Sequence, residues 1–141
     1  RRKAKCFAGD VGAVSIAFVI LFLLGRLILE TGDWSYIIFL AVYGVDSVPT
    51  IIHRLMLHEN IGLPHRKHMY QLMANELRIP HVVVSSFYMM LQLLVSFGMV
   101  LLPMNHWLYL VTILVVLCGS YLLFMKRYYH LHESYLRSLN N

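Results

Sequence analysis

Charge is the scarcest commodity in this sequence. Of 141 residues only 13% are Asp, Glu, Lys or Arg, against 59% hydrophobic, and the mean hydropathy is +0.64. A soluble domain of this length needs a polar shell that such a composition does not supply. A bilayer is therefore the expected solvent. Cysteine is nearly absent. Cys6 and Cys118 lie far apart, Cys118 within an apolar run, so neither a disulfide framework nor zinc-ligand spacing can be read. No HExxH stretch occurs, which removes that metalloprotease signature. There is no internal repeat and no low-complexity run. The opening RRKAK is not followed by a short apolar core with a small-residue cleavage site, so a secretory signal peptide is not expected. It also lacks an initiator Met, which suggests a chain that begins inside a larger protein.

Long hydrophobic runs are what the sequence has. A span needs about 20 mostly apolar residues. Four meet that requirement: 11–29, 34–52, 82–102 and 107–125. Gly32 and Asp33 separate the first two, and Pro103, Met104 and Asn105 separate the last two. Residues 53–81 form the one long polar connection, and 126–141 a polar tail that reads as a continuing, then fraying, helix. Tyr128, Tyr129, His130 and His132 in that tail suit the membrane interface. The expected fold is an all-α integral membrane protein of about four transmembrane helices. It carries a cytoplasmic histidine-containing loop and forms part of a larger polytopic bundle.

Orientation follows from lysine and arginine. Arg1, Arg2, Lys3 and Lys5 precede the first span, Arg54, Arg66, Lys67 and Arg78 follow the second, and Lys126, Arg127 and Arg137 follow the fourth. Only Arg26 falls elsewhere, where it can snorkel to the headgroups. Both termini and the central loop are thus expected in the cytoplasm. The net charge of +5 is accounted for by this bias and by anionic lipid headgroups, and nucleic acid is not an expected partner.

Three polar features fall on that side. In CFAGDVGA, Asp10 stands between Gly9 and Gly12 at the start of the first span. Asp is a favoured helix N-cap. It is equally a ligand type for Mg²⁺, which takes one or two carboxylates plus phosphate oxygens. In YGVDSVPTIIHRL, Asp46 lies inside the second span, where a carboxylate costs about 2.5–3.5 kcal/mol and must face protein or water. An interhelical hydrogen bond and the floor of a polar cavity both satisfy that demand. His53 returns to the face of Asp46 after two turns, and Pro49 between them is expected to kink the span. In HENIGLPHRKHMYQ, Pro64 suits the first turn of a short helix that places His65 and His68 on one face. A histidine pair for zinc, a basic surface for anionic lipid, and a diphosphate grip by His65, Arg66, Lys67 and His68 all use these residue types.

Together and in this order, F-x-G-D-x-G, VDSVPTIIHRL and HENIGLPHRKHMYQ resemble the C-terminal part of the polyprenyl-phosphate N-acetylhexosamine-1-phosphate transferases. These share a superfamily with the phospho-N-acetylmuramoyl-pentapeptide transferase of peptidoglycan synthesis. The resemblance covers roughly Cys6 to Leu102. It implies a bacterial inner-membrane enzyme, active on the cytoplasmic side, whose lipid substrate is a polyprenyl (undecaprenyl) phosphate. The other substrate is a UDP-N-acetylhexosamine, typically UDP-GlcNAc. UMP leaves, and the lipid-linked sugar starts a surface polysaccharide. It implies Mg²⁺ (with Mn²⁺ as a substitute), bound by Asp10. It implies His68 as the first histidine of the cytoplasmic motif and a catalytic residue with Asp10. His65, Arg66 and Lys67 then belong to the substrate-binding loop, and Asp46 and Arg54 match polar substrate-side positions of the preceding span.

There are departures from the family pattern. Met69, Tyr70 and Gln71 follow His68 where further histidines are common, which points away from the peptidoglycan enzyme. Ala13 stands where Ser is common. The paired aspartates near the lipid phosphate are missing, since Asp10, Asp33 and Asp46 are each isolated. Residues 1–141 are therefore read as the C-terminal part of one transferase domain, inactive alone. A homodimer is left open. The other readings are a non-enzymatic membrane anchor or assembly module, and a metal or proton transporter fragment using Asp46, His53 and the loop histidines.

Overall fold

Lipid offers a peptide group no hydrogen-bond partner, so a chain this apolar must satisfy its backbone internally. Among the described residues it does so with helices. The computed structural model describes the backbone of residues 9–56, 58 and 68–139, with side chains between 11 and 128 in those ranges. Five α-helices and one 3₁₀ segment make up the described residues, without a strand. Four helical stretches are long and apolar enough to cross a membrane: Val11–Thr31, Trp34–Met56, His81–Leu101 and His106–Tyr128. The all-α membrane architecture expected from hydropathy is what the structure has.

The chain divides into two units, 1–37 and 38–141. In the first, α1 runs Gly9–Thr31 and is apolar on every face, as suits a helix surrounded by lipid or by other helices. Its one internal ion pair joins Arg26 to Glu30 one turn on, with Nε 3.0 Å from Oε1. The expected turn at Gly32 and Asp33 is present. Gly32 takes a positive φ of 67° and its N–H closes onto Ile28 O at 2.8 Å, the left-handed stop that glycine permits. The Asp33 carboxylate then accepts the Ser35 N–H at 2.9 Å and opens the next helical segment.

The second span is not one uniform helix. It begins as a 3₁₀ segment, Trp34–Leu40, and continues as α2, Ala41–Met56. The change of helix type therefore lies at Leu40 and Ala41, while Pro49 sits inside the continuous helix α2. The cause is a side chain. Gln92 of α4 (His81–Leu101) accepts the Val42 N–H at 3.0 Å and donates to Ile38 O at 3.1 Å. Those two backbone groups are the i and i+4 partners of an α-helical turn. The carboxamide is inserted between them, which is a recognised origin of helix irregularity.

Helices α4 and α5 (His106–Leu139) form a hairpin closed by Pro103 and Asn105. Asn105 Oδ1 accepts the N–H groups of Trp107 at 3.0 Å and Leu108 at 3.2 Å, an N-cap for α5. Tyr109, 8% exposed, donates to Val95 O at 3.0 Å and brings the hydroxyl end of its ring against Gly98. The fourth span does not stop at Met125. Helix α5 has 34 residues, a length of about 50 Å that exceeds the roughly 30 Å hydrocarbon core. The tail is thus a helical extension through Leu139, with Phe124 against Tyr128 at 4.8 Å between ring centres and Arg127 over the Tyr128 ring.

Within unit 38–141, α2 packs on both α4 and α5, and the short α3 (Met69–Asn75) packs on α4 and α5 at one end. The buried residues of α2 are Ala41, Val42, Val45, Asp46, Thr50 and Arg54. They follow the four-residue ridge used in helix packing, which is inclined to the helix axis. By the far end of α2 the contact has moved off the row of His53, which is exposed, onto Arg54, 3% exposed. Asp46 thus shares its buried row with Thr50 and Arg54, instead of with His53 as the two-turn spacing suggests.

Candidate functional site

A carboxylate inside a membrane helix has to find donors or be neutralised. Asp46 is 4% exposed and finds three. Oδ1 accepts the backbone N–H of Met69 at 2.7 Å. Oδ2 accepts the N–H of Tyr70 at 3.3 Å and the hydroxyl of Tyr88 at 3.0 Å. Met69 and Tyr70 are the first two residues of α3, so Asp46 caps that helix from another helix. Of the other two orphan amides, Gln71 N–H goes to His68 O at 3.1 Å and His68 N–H to Gln71 Oε1 at 3.4 Å, while Leu72 makes the first regular helical bond to His68 O. All four N-terminal N–H groups are thereby satisfied. The Asp46 carboxyl also stands at the positive end of the α3 dipole, which favours an acceptor there.

His68 is the hinge of this arrangement. It occupies the N-cap position of α3 with extended φ and ψ of −71° and 146°, so it precedes the helix and is not part of it. Its N–H donates to Gln71 Oε1 at 3.4 Å. Its ring lies beside the capping aspartate, with Nδ1 3.4 Å from Asp46 O and 4.0 Å from Oδ1. The other face of the ring stacks on Tyr70, 5.6 Å between centres and 20° apart in plane. Burial raises the Tyr70 pKa from its ordinary value, and the charge of Asp46 and then Tyr43 push it further, so Tyr70 is a neutral hydroxyl at physiological pH. The helix expected to start at Pro64 is described only from Met69. His65, Arg66 and Lys67 lie outside the described residues.

Beneath the cap, the network continues into the membrane-spanning helices. Thr50 donates to Asp46 O at 2.7 Å and pairs with the Tyr121 hydroxyl of α5 at 2.9 Å. An apolar cavity of about 200 Å³ adjoins Asp46, Tyr88 and Tyr121, walled by Met69, Met73 and Phe87 among others. Of the two sequence alternatives Asp46 meets the first, interhelical hydrogen bonding, and the cavity at its edge is apolar. Its carboxylate oxygens are directed at the start of α3.

The sequence candidates fall into three groups. Asp46 and His68 are brought into contact. Arg54 lies buried two turns along the same face of α2. Asp10 belongs to the first turn of α1, which already includes Gly9, so its backbone lies inside the helix and not at the cap; its side chain lies outside those described. Among the described residues no group of three or more His, Cys, Asp or Glu side chains converges as a metal site. Tyr88, Thr50, Tyr121 and Gln92 were not anticipated. The available signal was their polarity: each is a hydrogen-bonding side chain in a mostly apolar span.

Comparison with protein-family models, with curated proteins and with solved structures gives no match to this chain.

Proposed function

We propose that this chain is part of a polyprenyl-phosphate N-acetylhexosamine-1-phosphate transferase. The supporting observation is the placement of His68. The histidine that matches the family motif stands at the start of α3, held there by a buried carboxylate that caps the helix. A protein dissolved in lipid has little reason to bury an anion except to fix polar groups at a definite place.

In this reading a phosphate oxygen of the polyprenyl phosphate attacks the sugar-proximal phosphorus of a UDP-N-acetylhexosamine. A new P–O bond forms, the bond to the uridine-bearing phosphate breaks, and UMP departs. Such transfers depend on positioning and charge neutralisation. Asp10 would hold Mg²⁺, which when bound neutralises charge on the diphosphate. Arg66 would offer a planar pair of donors to phosphate oxygens. His65 and Lys67 would add donors from the same loop, and His68 would present its ring from the end of α3. Asp46 acts through α3 as a positioning residue. Arg54, buried beneath, supports the same end of the bundle.

The test is UMP release by the intact protein in liposomes supplied with UDP-GlcNAc, undecaprenyl phosphate and Mg²⁺. Release by wild type and near-complete loss in Asp10→Asn support the reaction and the metal ligand together. Release unaffected by Asp10→Asn keeps the reaction and returns Asp10 to a helix-start role. No release with any UDP-sugar removes the transferase reading.

A further inference from the structure

A second polar feature lies further along α2 and α5, past the Thr50–Tyr121 hydrogen bond. Between α2 and α5 a cleft of about 360 Å³ is lined by Pro49, His53, Tyr121, Leu122, Met125 and Lys126. Its chemistry is graded along the helices. At the inner end the Thr50–Tyr121 hydrogen bond joins the two helices. Pro49, Leu122 and Met125 supply apolar walls. One turn further out, His53 and Lys126 face the cleft from opposite helices, both exposed. Arg127 follows Lys126, spread over the Tyr128 ring at 5.9 Å. No acidic side chain among the described residues lines the cleft.

We infer that this cleft is a binding site for an anionic phospholipid, its phosphodiester between Lys126 and His53 and the start of one acyl chain against Pro49, Leu122 and Met125. Basic pockets between membrane helices are the recurring form of such sites. The charge pattern selects the lipid class. A zwitterionic headgroup brings an ammonium group for which the described residues of the cleft offer no carboxylate, whereas a net-negative headgroup brings no such uncompensated cation. The apolar half of the cleft selects a lipid over free phosphate, which would leave those walls unused. The inference does not depend on the transferase reading, because none of the cleft residues takes part in the α3 cap.

The experiment measures lipid retained by the detergent-solubilised protein, using native mass spectrometry with phosphatidylglycerol, phosphatidylcholine or inorganic phosphate added. Phosphatidylglycerol is expected to be retained in preference to phosphatidylcholine, and inorganic phosphate is expected not to displace it. Lys126→Gln should reduce that preference roughly fivefold, the equivalent of one interfacial lysine. His53→Gln should reduce it less, and Lys126→Arg should preserve it. Arg78→Gln removes an exposed charge outside the cleft and should change nothing. Equal loss in Lys126→Gln and Arg78→Gln would reduce the effect to diffuse surface charge and overturn the site. Equal retention of the two lipids, or displacement by inorganic phosphate, would overturn it as well. Melting in phosphatidylcholine alone shows whether each variant is folded; if Lys126→Gln is not, loss of preference in the folded Lys126→Met decides instead.

Discussion

Asp46 accepts the backbone N–H of Met69 at 2.7 Å across 23 positions of sequence. This single contact ties the middle of a membrane-spanning helix to the start of the helix that follows the histidine-rich loop. A local cap holds a helix to its own chain. This one holds α3 to the bundle, and with it the position of His68.

Replacing Asp46 should therefore free α3 without dissolving the spans. Removal of a capping side chain costs about 0.5–2 kcal/mol, and the half-buried Tyr88 hydroxyl left without an acceptor adds up to roughly 1–3 kcal/mol. Asp46→Leu is expected to lower the melting temperature more than Asp46→Asn, which retains one acceptor oxygen. Amide hydrogen exchange should rise at Met69 and Tyr70 in both. Unchanged protection at those two amides would show that the cap does not anchor the helix.

Gln92 presents a different kind of dependence. Its carboxamide satisfies Val42 N–H and Ile38 O, and also donates to Ser96 at 3.1 Å. Gln92→Leu strands two backbone groups where no water can reach them. Destabilisation of about 1–3 kcal/mol is expected unless the turn closes on itself. Exchange at Val42 separates the two outcomes: fast exchange means a stranded amide, and slow exchange with near-native melting means that the α-helical bond has formed directly.

Gly98 is required by Tyr109. A Cβ at position 98 would collide with the phenol of Tyr109, which is held in place by its bond to Val95 O. Gly98→Ala should cost about 1–3 kcal/mol as an overpacked contact. Combining it with Tyr109→Ala should cost less than the two changes separately, because the clash is gone. Strict additivity in that double-mutant cycle would mean that the two side chains do not meet.

For the proposed reaction, Arg66→Lys in the intact protein should lower UMP release at least tenfold, because a point charge replaces a planar fork. His68→Ala should be comparably damaging, and His68→Gln less so if hydrogen bonding is its contribution. Full activity in Arg66→Lys would transfer the weight to Lys67 and His65, and full activity in both His68 variants would leave α3 with a purely architectural role.

Much of this architecture could be read in advance, for reasons particular to lipid. The spans are legible because each must be apolar over its whole length. The turns are legible because Gly32, Asp33, Pro103 and Asn105 have few other uses between apolar runs. Asp46 announces itself because a buried charge is costly. Its partners do not. Two of its three donors are backbone amides, which every residue except proline possesses, so no residue type at 69 or 70 marks them. Gln92 and Tyr88 are polar residues in an apolar run, a visible signal with no visible addressee. The change from 3₁₀ to α at Leu40 and Ala41 carries no local signal, because a carboxamide arriving from another helix, not the local chain, interrupts the ladder there.

Composition and hydropathy alone thus determined the four apolar helical spans among the described residues, since such a run in lipid satisfies its own backbone as a helix. The local chain also determined where the spans turn. Which buried polar groups meet was decided only by tertiary packing. The inclined ridge of α2 buries Arg54 and exposes His53, the hairpin of α4 and α5 brings Tyr109 over Gly98, and the cap at Asp46 sets where α3 begins. Each depends on how helices rotate and slide against one another, and that is a property of facing surfaces which no single segment carries.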